Sequence, residues 1–260
     1  MAICLKSPND LGQMREAGRL VHQALHRCRQ ACVAGATTAD IDAAAESVIA
    51  ENPGAVGLFQ WYPTYQKGQG FPAVTCISVN DEVVHGIPGE RVIQEGDLVS
   101  VDFGVKLHGW CGDSATTIMV GKVSPDRKRL CEVTEHVLHI AIENIRPGRR
   151  WSRIAQMMQR YAEQAGMGVI RDFVGHGIGR SMHEEPKVPN FASRELMRND
   201  IELVPGMVLA VEPMCTLGTE RVKVLDDGWT VVTSDGKAAA HYEHTVAVTE
   251  DGCDILTDGQ

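Results

Sequence analysis

The sequence predicts an α+β fold in which two related halves meet along one antiparallel sheet. Two stretches with helical spacing of apolar residues open the chain, and strands follow them. The same order, helices then strands, returns in the second half. No linker or shift in composition separates the halves, so a single domain over residues 1–260 is expected, with approximate halves 1–125 and 126–260.

The first helix starts at Ser7-Pro8-Asn9-Asp10, with Ser7 as N-cap and Pro8 in the first helical position. Leu11, Met14, Gly18, Val21, Leu25, Cys28 and Cys32 keep its period until Gly35. Thr37 or Thr38 caps a second helix through about residue 50, which Asn52-Pro53-Gly54 ends. Residues 57–72 mix Gly, Pro and aromatic residues without a period and read as loop. Strands are expected over 73–79, 98–105 and 113–120, then helices over 126–145 and 152–165. Strand and loop are expected after Gly166, with a hairpin turn at Asp226-Asp227-Gly228 and a last strand over 242–248.

Composition narrows the function classes. Hydrophobic residues make up 43% and the formal net charge is -9, which suits a globular protein and argues against a nucleic-acid surface. No apolar run approaches the ~20 residues of a membrane span, and the first residues do not form a signal peptide, so a cytoplasmic protein is expected. The eight cysteines are dispersed and are expected as free thiols. Cys28 and Cys32 fall on the far side of their helix from His22 and His26, so these four cannot share one zinc ion.

The most informative stretch is Leu98-Val-Ser-Val-Asp-Phe-Gly-Val105, a loop, and Trp110-Cys-Gly-Asp-Ser-Ala-Thr-Thr117. Val99, Val101, Phe103 and Val105 share one face of the first strand, and Asp102 lies on the other. A four-residue loop over 106–109 would pair Val105 with Trp110 and set Asp102 directly opposite Asp113. Two carboxylates so placed need a cation or a shared proton between them. The other reading is two surface aspartates in a hairpin of different register.

Further candidates stand at strand ends. His176 lies between glycines in Val174-Gly-His-Gly-Ile178, where the backbone can close in on a ligand, although a structural histidine fits there too. Glu212 ends the apolar run Val208-Leu-Ala-Val211 and precedes Pro213, a position that packing explains poorly. Glu243, in His241-Tyr-Glu-His-Thr245, could equally be an exposed strand-end acid. Together these residues offer four carboxylates and one imidazole, a set whose charge two divalent cations would balance. Oxygen-rich ligation with one nitrogen suits Mn, Fe, Co or Zn. No G-x-S-x-G elbow supports a covalent mechanism.

Val101-Asp-Phe-Gly104, Gly112-Asp-Ser114, Gly175-His-Gly-Ile-Gly179, His183-Glu-Glu-Pro186, Val211-Glu-Pro213 and Tyr242-Glu-His-Thr245 occur in this order. That series resembles type I methionine aminopeptidase from about Ile3 to the C-terminus. The resemblance implies a pita-bread fold: two pseudo-symmetric α+β halves, a curved antiparallel sheet, helices outside and a dinuclear metal site in the cleft. It makes Asp113 and Glu243 the bridges between two ions, with Asp102 completing one and His176 with Glu212 the other. His85, in Val84-His-Gly-Ile-Pro88, would lie near the substrate's amino end, and His183 would hydrogen-bond the scissile carbonyl. Phe71, Cys76, Met182 and Trp229 match positions around a methionine pocket. The sequence departs from the family where Met182 replaces an aromatic residue, where Phe71 replaces a tyrosine, and over 58–70.

The resulting expectation is a metalloprotease that hydrolyses the initiator methionine from nascent chains with a small second residue, as a step of protein maturation. The attack would come from a hydroxide bridging the ions, with His85, His183 and Glu212 in catalytic roles and Glu212 moving the proton. A monomer is expected, without membrane or nucleic-acid partners; action on chains leaving the ribosome follows from the family alone. The alternatives are an X-Pro aminopeptidase or prolidase of the same fold, and a metal-free binding module.

Overall fold

The structure is a computed structural model that describes residues 3–63 and 70–260. Helix α1 (Pro8–Ala31) begins at a capping box, in which the Ser7 side chain accepts from the Asp10 amide while the Asp10 carboxylate accepts from the Ser7 amide. It ends at Ala31, short of Gly35. Helix α2 (Thr38–Glu51) starts with the same device, built from Thr37 and Asp40. Strand β1 (Ala55–Gly57) follows, so the expected loop begins one residue late. Of that loop, residues 64–69 lie outside the described residues. Strands β2 (Thr75–Val79), β3 (Glu82–Val84), β4 (Leu98–Leu107) and β5 (Trp110–Met119) complete the first set.

The second half repeats the order. Helices α3 (Pro125–Asn144) and α4 (Trp151–Gln164) precede β6 (Gly168–Val169), β7 (Gly175–Gly177) and β8 (Glu184–Val188). A short helix α5 (Arg194–Arg198), capped by Ser193, stands where only strand and loop were expected. Strands β9 (Val208–Val211), β10 (Met214–Thr216), β11 (Val222–Val224) and β12 (Val231–Thr233) follow, the last two paired antiparallel around the expected turn. The strand expected over 242–248 starts two residues late, as β14 (His244–Val248), which pairs with β9; β13 (Ala239–His241) precedes it and pairs with β10, and Glu243 lies between them. A further strand, β15 (Cys253–Ile255), pairs with β14.

Among the described residues the antiparallel surface consists of four hydrogen-bonded sheets. The two larger ones hold β1, β2, β4 and β5, and β15-β14-β9-β7-β8 in that order. Ala115 of β5 and Glu243 join the halves, because the amide of Glu243 donates to the Ala115 carbonyl at 2.9 Å. Helices cover each half on one side. One core packs α1 and α2 against β2, β4 and β5 through Ala17, Val21, Ile41, Val99, Val101 and Phe103. The other packs α3 and α4 against β9, β10 and β14 through Leu130, Trp151, Met158, Leu209, Cys215 and Val246. Helix α1 lies unusually close to β5: a Cβ at Gly112 would sit 3.0 Å from the Gly18 amide nitrogen. This contact holds β5, and with it Asp113, against the helix. Among the described residues no helix is long and apolar enough to cross a membrane. All eight cysteines are free, and Cys28 and Cys32 are buried in the first core.

Candidate metal centre

The site is built on the β4–β5 hairpin, whose register differs from the expected one. The turn has two residues, His108 and Gly109, both at positive φ (50° and 86°). That combination matches the twist of the flanking strands and closes the hairpin tightly. Leu107 therefore pairs with Trp110, Asp102 with Ala115 and Gly104 with Asp113. Asp102 and Asp113 are diagonal neighbours, and the direct opposition is corrected. A shift of two residues leaves every side chain on its expected face, so both carboxylates still point the same way. Gly104 makes room for them, since a Cβ there would lie 3.0 Å from Asp113 Oδ1.

The backbones that carry the acids are fixed. Thr245 Oγ1 accepts from the Asp113 amide at 3.1 Å and donates to the Asp113 carbonyl at 2.8 Å. Ser114 Oγ donates to the Glu243 carbonyl. Asn190 donates its side-chain amide to the Glu212 carbonyl at 3.0 Å. His176 Nδ1 lies 2.9 Å from the Gly177 carbonyl; it therefore carries the proton and donates there. Its Nε2 keeps a lone pair, 3.6 Å from Glu212 Oε1.

These elements converge on one cavity of ≈ 200 Å³ lined by Asp102, Asp113, His176, Glu212 and Glu243. Asp113, His176 and Glu243 each offer a donor atom within 4.8 Å of the others. Asp102 and Glu212 are outside that compact trio, next to Asp113 and His176 respectively. Asp113, His176 and Glu243 are only 4%, 7% and 3% exposed. Burial pushes the Asp102 carboxyl far above the ordinary range, reinforced by Asp113 and Glu212. Burial does the same at Glu243, with Asp113, Glu212 and Asp102 adding to it, and at Glu212, where Asp113 adds. Asp113 is raised to about 7 by burial, and the Ser114 amide and Asp102 oppose the rise. His176 is lowered to about 4 by burial and by the neighbouring His183.

Three buried carboxylate oxygens, Asp102 Oδ1, Asp113 Oδ1 and Glu243 Oε1, have no hydrogen-bond partner among the described residues. A buried unpaired charge is costly unless a cation meets it. The residues present therefore fit a divalent metal: bare oxygens, one imidazole lone pair and no thiolate among the donors.

The rest of the cavity is apolar and aromatic. Phe71, Cys76, Phe59 and Ala73 form a buried cluster with Met182 and Trp229 packed on it. Phe71 meets Trp229 edge to face at 5.2 Å. His183 stands beside His176, ring centroids 4.3 Å apart. His85 faces Phe173 at 5.3 Å and adopts φ 58°, a left-handed conformation rare outside glycine. Burial and His183 lower His85 to about 4.

All eleven of the sequence-derived candidates thus line one cavity, and Phe59, Tyr62, Phe173 and Val174 line it with them. Phe59 and Tyr62 belong to the stretch without a period, where only the density of aromatic residues was a signal. His241, behind Glu243 with its Nε2 4.0 Å from Glu243 Oε2, was also missed. Its signal was its place two residues before Glu243, at the start of His241-Tyr-Glu-His-Thr245.

Carboxylates and an imidazole held bare at the meeting line of two α+β halves define a metallohydrolase centre. Residues 12–250 match metallopeptidase family M24, and the chain belongs to that family. It is 46% identical over 257 residues to methionine aminopeptidase 1 of Bacillus subtilis (strain 168), covering 99% of each chain. The structure of a methionine aminopeptidase from Thermotoga maritima superposes with a TM-score of 0.92 at 41% identity, covering 98% of this chain and 99% of that one. A prolidase from Pyrococcus horikoshii OT3 matches at TM-score 0.76 and 19% identity, over 64% of its own length, which marks the shared pita-bread fold alone.

Proposed function

We propose that this chain is a metal-dependent aminopeptidase that releases N-terminal methionine from polypeptides with a small second residue. The observation that carries the reading is the set of unpartnered buried carboxylate oxygens beside an apolar pocket. Family membership and relatives named methionine aminopeptidase at full coverage support it.

Asp102, Asp113, His176, Glu212 and Glu243 would hold two divalent ions, with Mn, Fe, Co or Zn as candidates. When bound, such ions supply Lewis acidity and a water acidic enough to react near neutral pH. The chain's own residues do the rest. Phe71, Cys76, Met182 and Trp229 enclose the methionine side chain and exclude water from it. His85 stands at the amino end and selects a free N-terminus. His183 donates a hydrogen bond to the carbonyl oxygen of the first peptide bond and steadies the charge that develops there. Glu212 is the acid/base that returns a proton to the leaving amine. We place this activity on residues 1–260 as one catalytic domain acting as a monomer in the cytoplasm on chains leaving the ribosome.

The test is release of the N-terminal residue from Met-Gly-Met-Met, Met-Lys-Met-Met and Gly-Pro by metal-stripped protein with each metal restored. Metal-dependent cleavage of the first peptide alone is expected. Cleavage of Gly-Pro alone would instead assign a proline-specific peptidase. A folded protein inactive with every metal would make the fold a binding module.

A further inference from the structure

The hydroxyl of Tyr62 lies 3.0 Å from Nδ1 of His183, and the two rings meet edge to face with centroids 5.7 Å apart. Tyr62 is on the neck of an excursion between β1 and β2. That neck is well built. The Trp61 amide donates to the Phe71 carbonyl at 2.8 Å, the Phe71 amide to the Tyr62 carbonyl at 3.0 Å, and the Tyr62 amide to the Phe59 carbonyl at 2.8 Å. Pro63 and Gly70 close it with a further bridge. Phe71, 1% exposed, anchors the neck in the apolar pocket. Tyr62 is thus held in place by backbone pairing, and its hydroxyl has one hydrogen-bond partner among the described residues.

The direction of that bond decides what His183 can do. A neutral imidazole has one nitrogen that donates and one that accepts. The phenol always has a proton to give, and Nδ1 is the acceptor within its reach. If Tyr62 donates to Nδ1, the ring proton is on Nε2, and Nε2 is a donor. Were Nδ1 the donor, Nε2 would be an acceptor and would repel a carbonyl oxygen.

We infer that Tyr62 is a positioning residue that fixes His183 as the Nε2–H tautomer, so that His183 can donate to the substrate's carbonyl oxygen. The inference rests on the role given to His183 in the proposed function. Tyr62 itself touches no reacting atom in this account and acts through the imidazole.

The test uses Tyr62→Phe, which keeps the ring packing and removes the hydroxyl. Two readouts are taken. The first is the tautomer of His183 in metal-free, ¹⁵N-histidine-labelled protein, read from long-range ¹H–¹⁵N correlations at a pH where the ring is neutral. Comparison with His183→Asn identifies its signals. Wild type is expected to show protonated Nε2 alone, and Tyr62→Phe a mixture of tautomers. The second is the kinetics of Met-Gly-Met-Met cleavage by manganese-loaded protein. A fall in kcat of about 10-fold is expected, with KM and bound metal unchanged. A wild-type ring protonated on Nδ1, or a Tyr62→Phe ring still protonated only on Nε2, overturns the inference. So does a kcat within about twofold of wild type. If wild type releases no methionine with any metal, the proposed function fails, and the tautomer readout still decides whether Tyr62 sets the ring.

Discussion

Replacing Asp113 with Asn should stabilise the metal-free protein and abolish its stabilisation by metal. In the metal-free fold Asp113 is only 4% exposed, and burial raises its pKa from 3.8 to about 7. The sign follows from proton binding. Between those two values the folded state holds a proton that the unfolded state has released, so stability falls as pH rises through the window. Above about pH 7 the loss is complete. At ~1.4 kcal/mol per pKa unit it amounts to about 4 kcal/mol. That figure is an upper bound on the gain, because Asp102, Glu212 and Glu243 share the repulsion and respond to the change. An amide that keeps the shape and removes the charge should recover roughly 1–3 kcal/mol, or about 2–10 °C in melting temperature for a chain of this size. The assay is thermal unfolding of wild type and Asp113→Asn at about pH 8, with chelator and then with excess Mn²⁺. Wild type should gain stability from Mn²⁺ and the variant should not. A metal-free variant that melts below wild type at this pH would refute the electrostatic account of the cluster.

Three further outcomes follow from the same geometry. Metal affinity should fall steeply as pH drops below about 7, where Asp113 takes up a proton and ceases to be a free ligand; calorimetric titration across that range checks it. Glu212→Gln should retain a folded protein and lose at least ~10²-fold in kcat, a loss that stopped-flow single turnover would place in the chemical step. Gly104→Ala should weaken metal binding about 10-fold while leaving the fold intact, because the added methyl lies 3.0 Å from both Asp113 Oδ1 and Leu58 Cδ1; metal analysis after dialysis reads it.

Most elements were legible because each has a local cause. The capping boxes at Ser7 and Thr37, the period of α1 and the alternation of β4 lie in a few consecutive residues. The five acid and imidazole positions were legible for a different reason: they fall in a series of short motifs that resembles a known family, and taken alone only Glu212 stands where packing explains an ionisable side chain poorly. The hairpin register was misread because His108 is not a usual residue for a left-handed turn position, so the tight two-residue turn gave no signal. The face was still correct, since the error was an even number of residues. The late start of β14 was hidden because the break at Glu243 depends on a hydrogen bond to β5 from the other half of the chain. Tyr62 was missed for the same kind of reason. Its role is set by a neighbour about 120 residues away, and one sequence carries no local trace of it.

The central claim is that these five residues hold the catalytic ions. An anomalous-difference map from crystals of the protein grown with Mn²⁺ tests it most directly. Two peaks in the cavity, with Asp113 and Glu243 between them, His176 and Glu212 on one and Asp102 on the other, are the predicted result. A cavity that stays empty at saturating Mn²⁺, or peaks only elsewhere on the molecule, would contradict it.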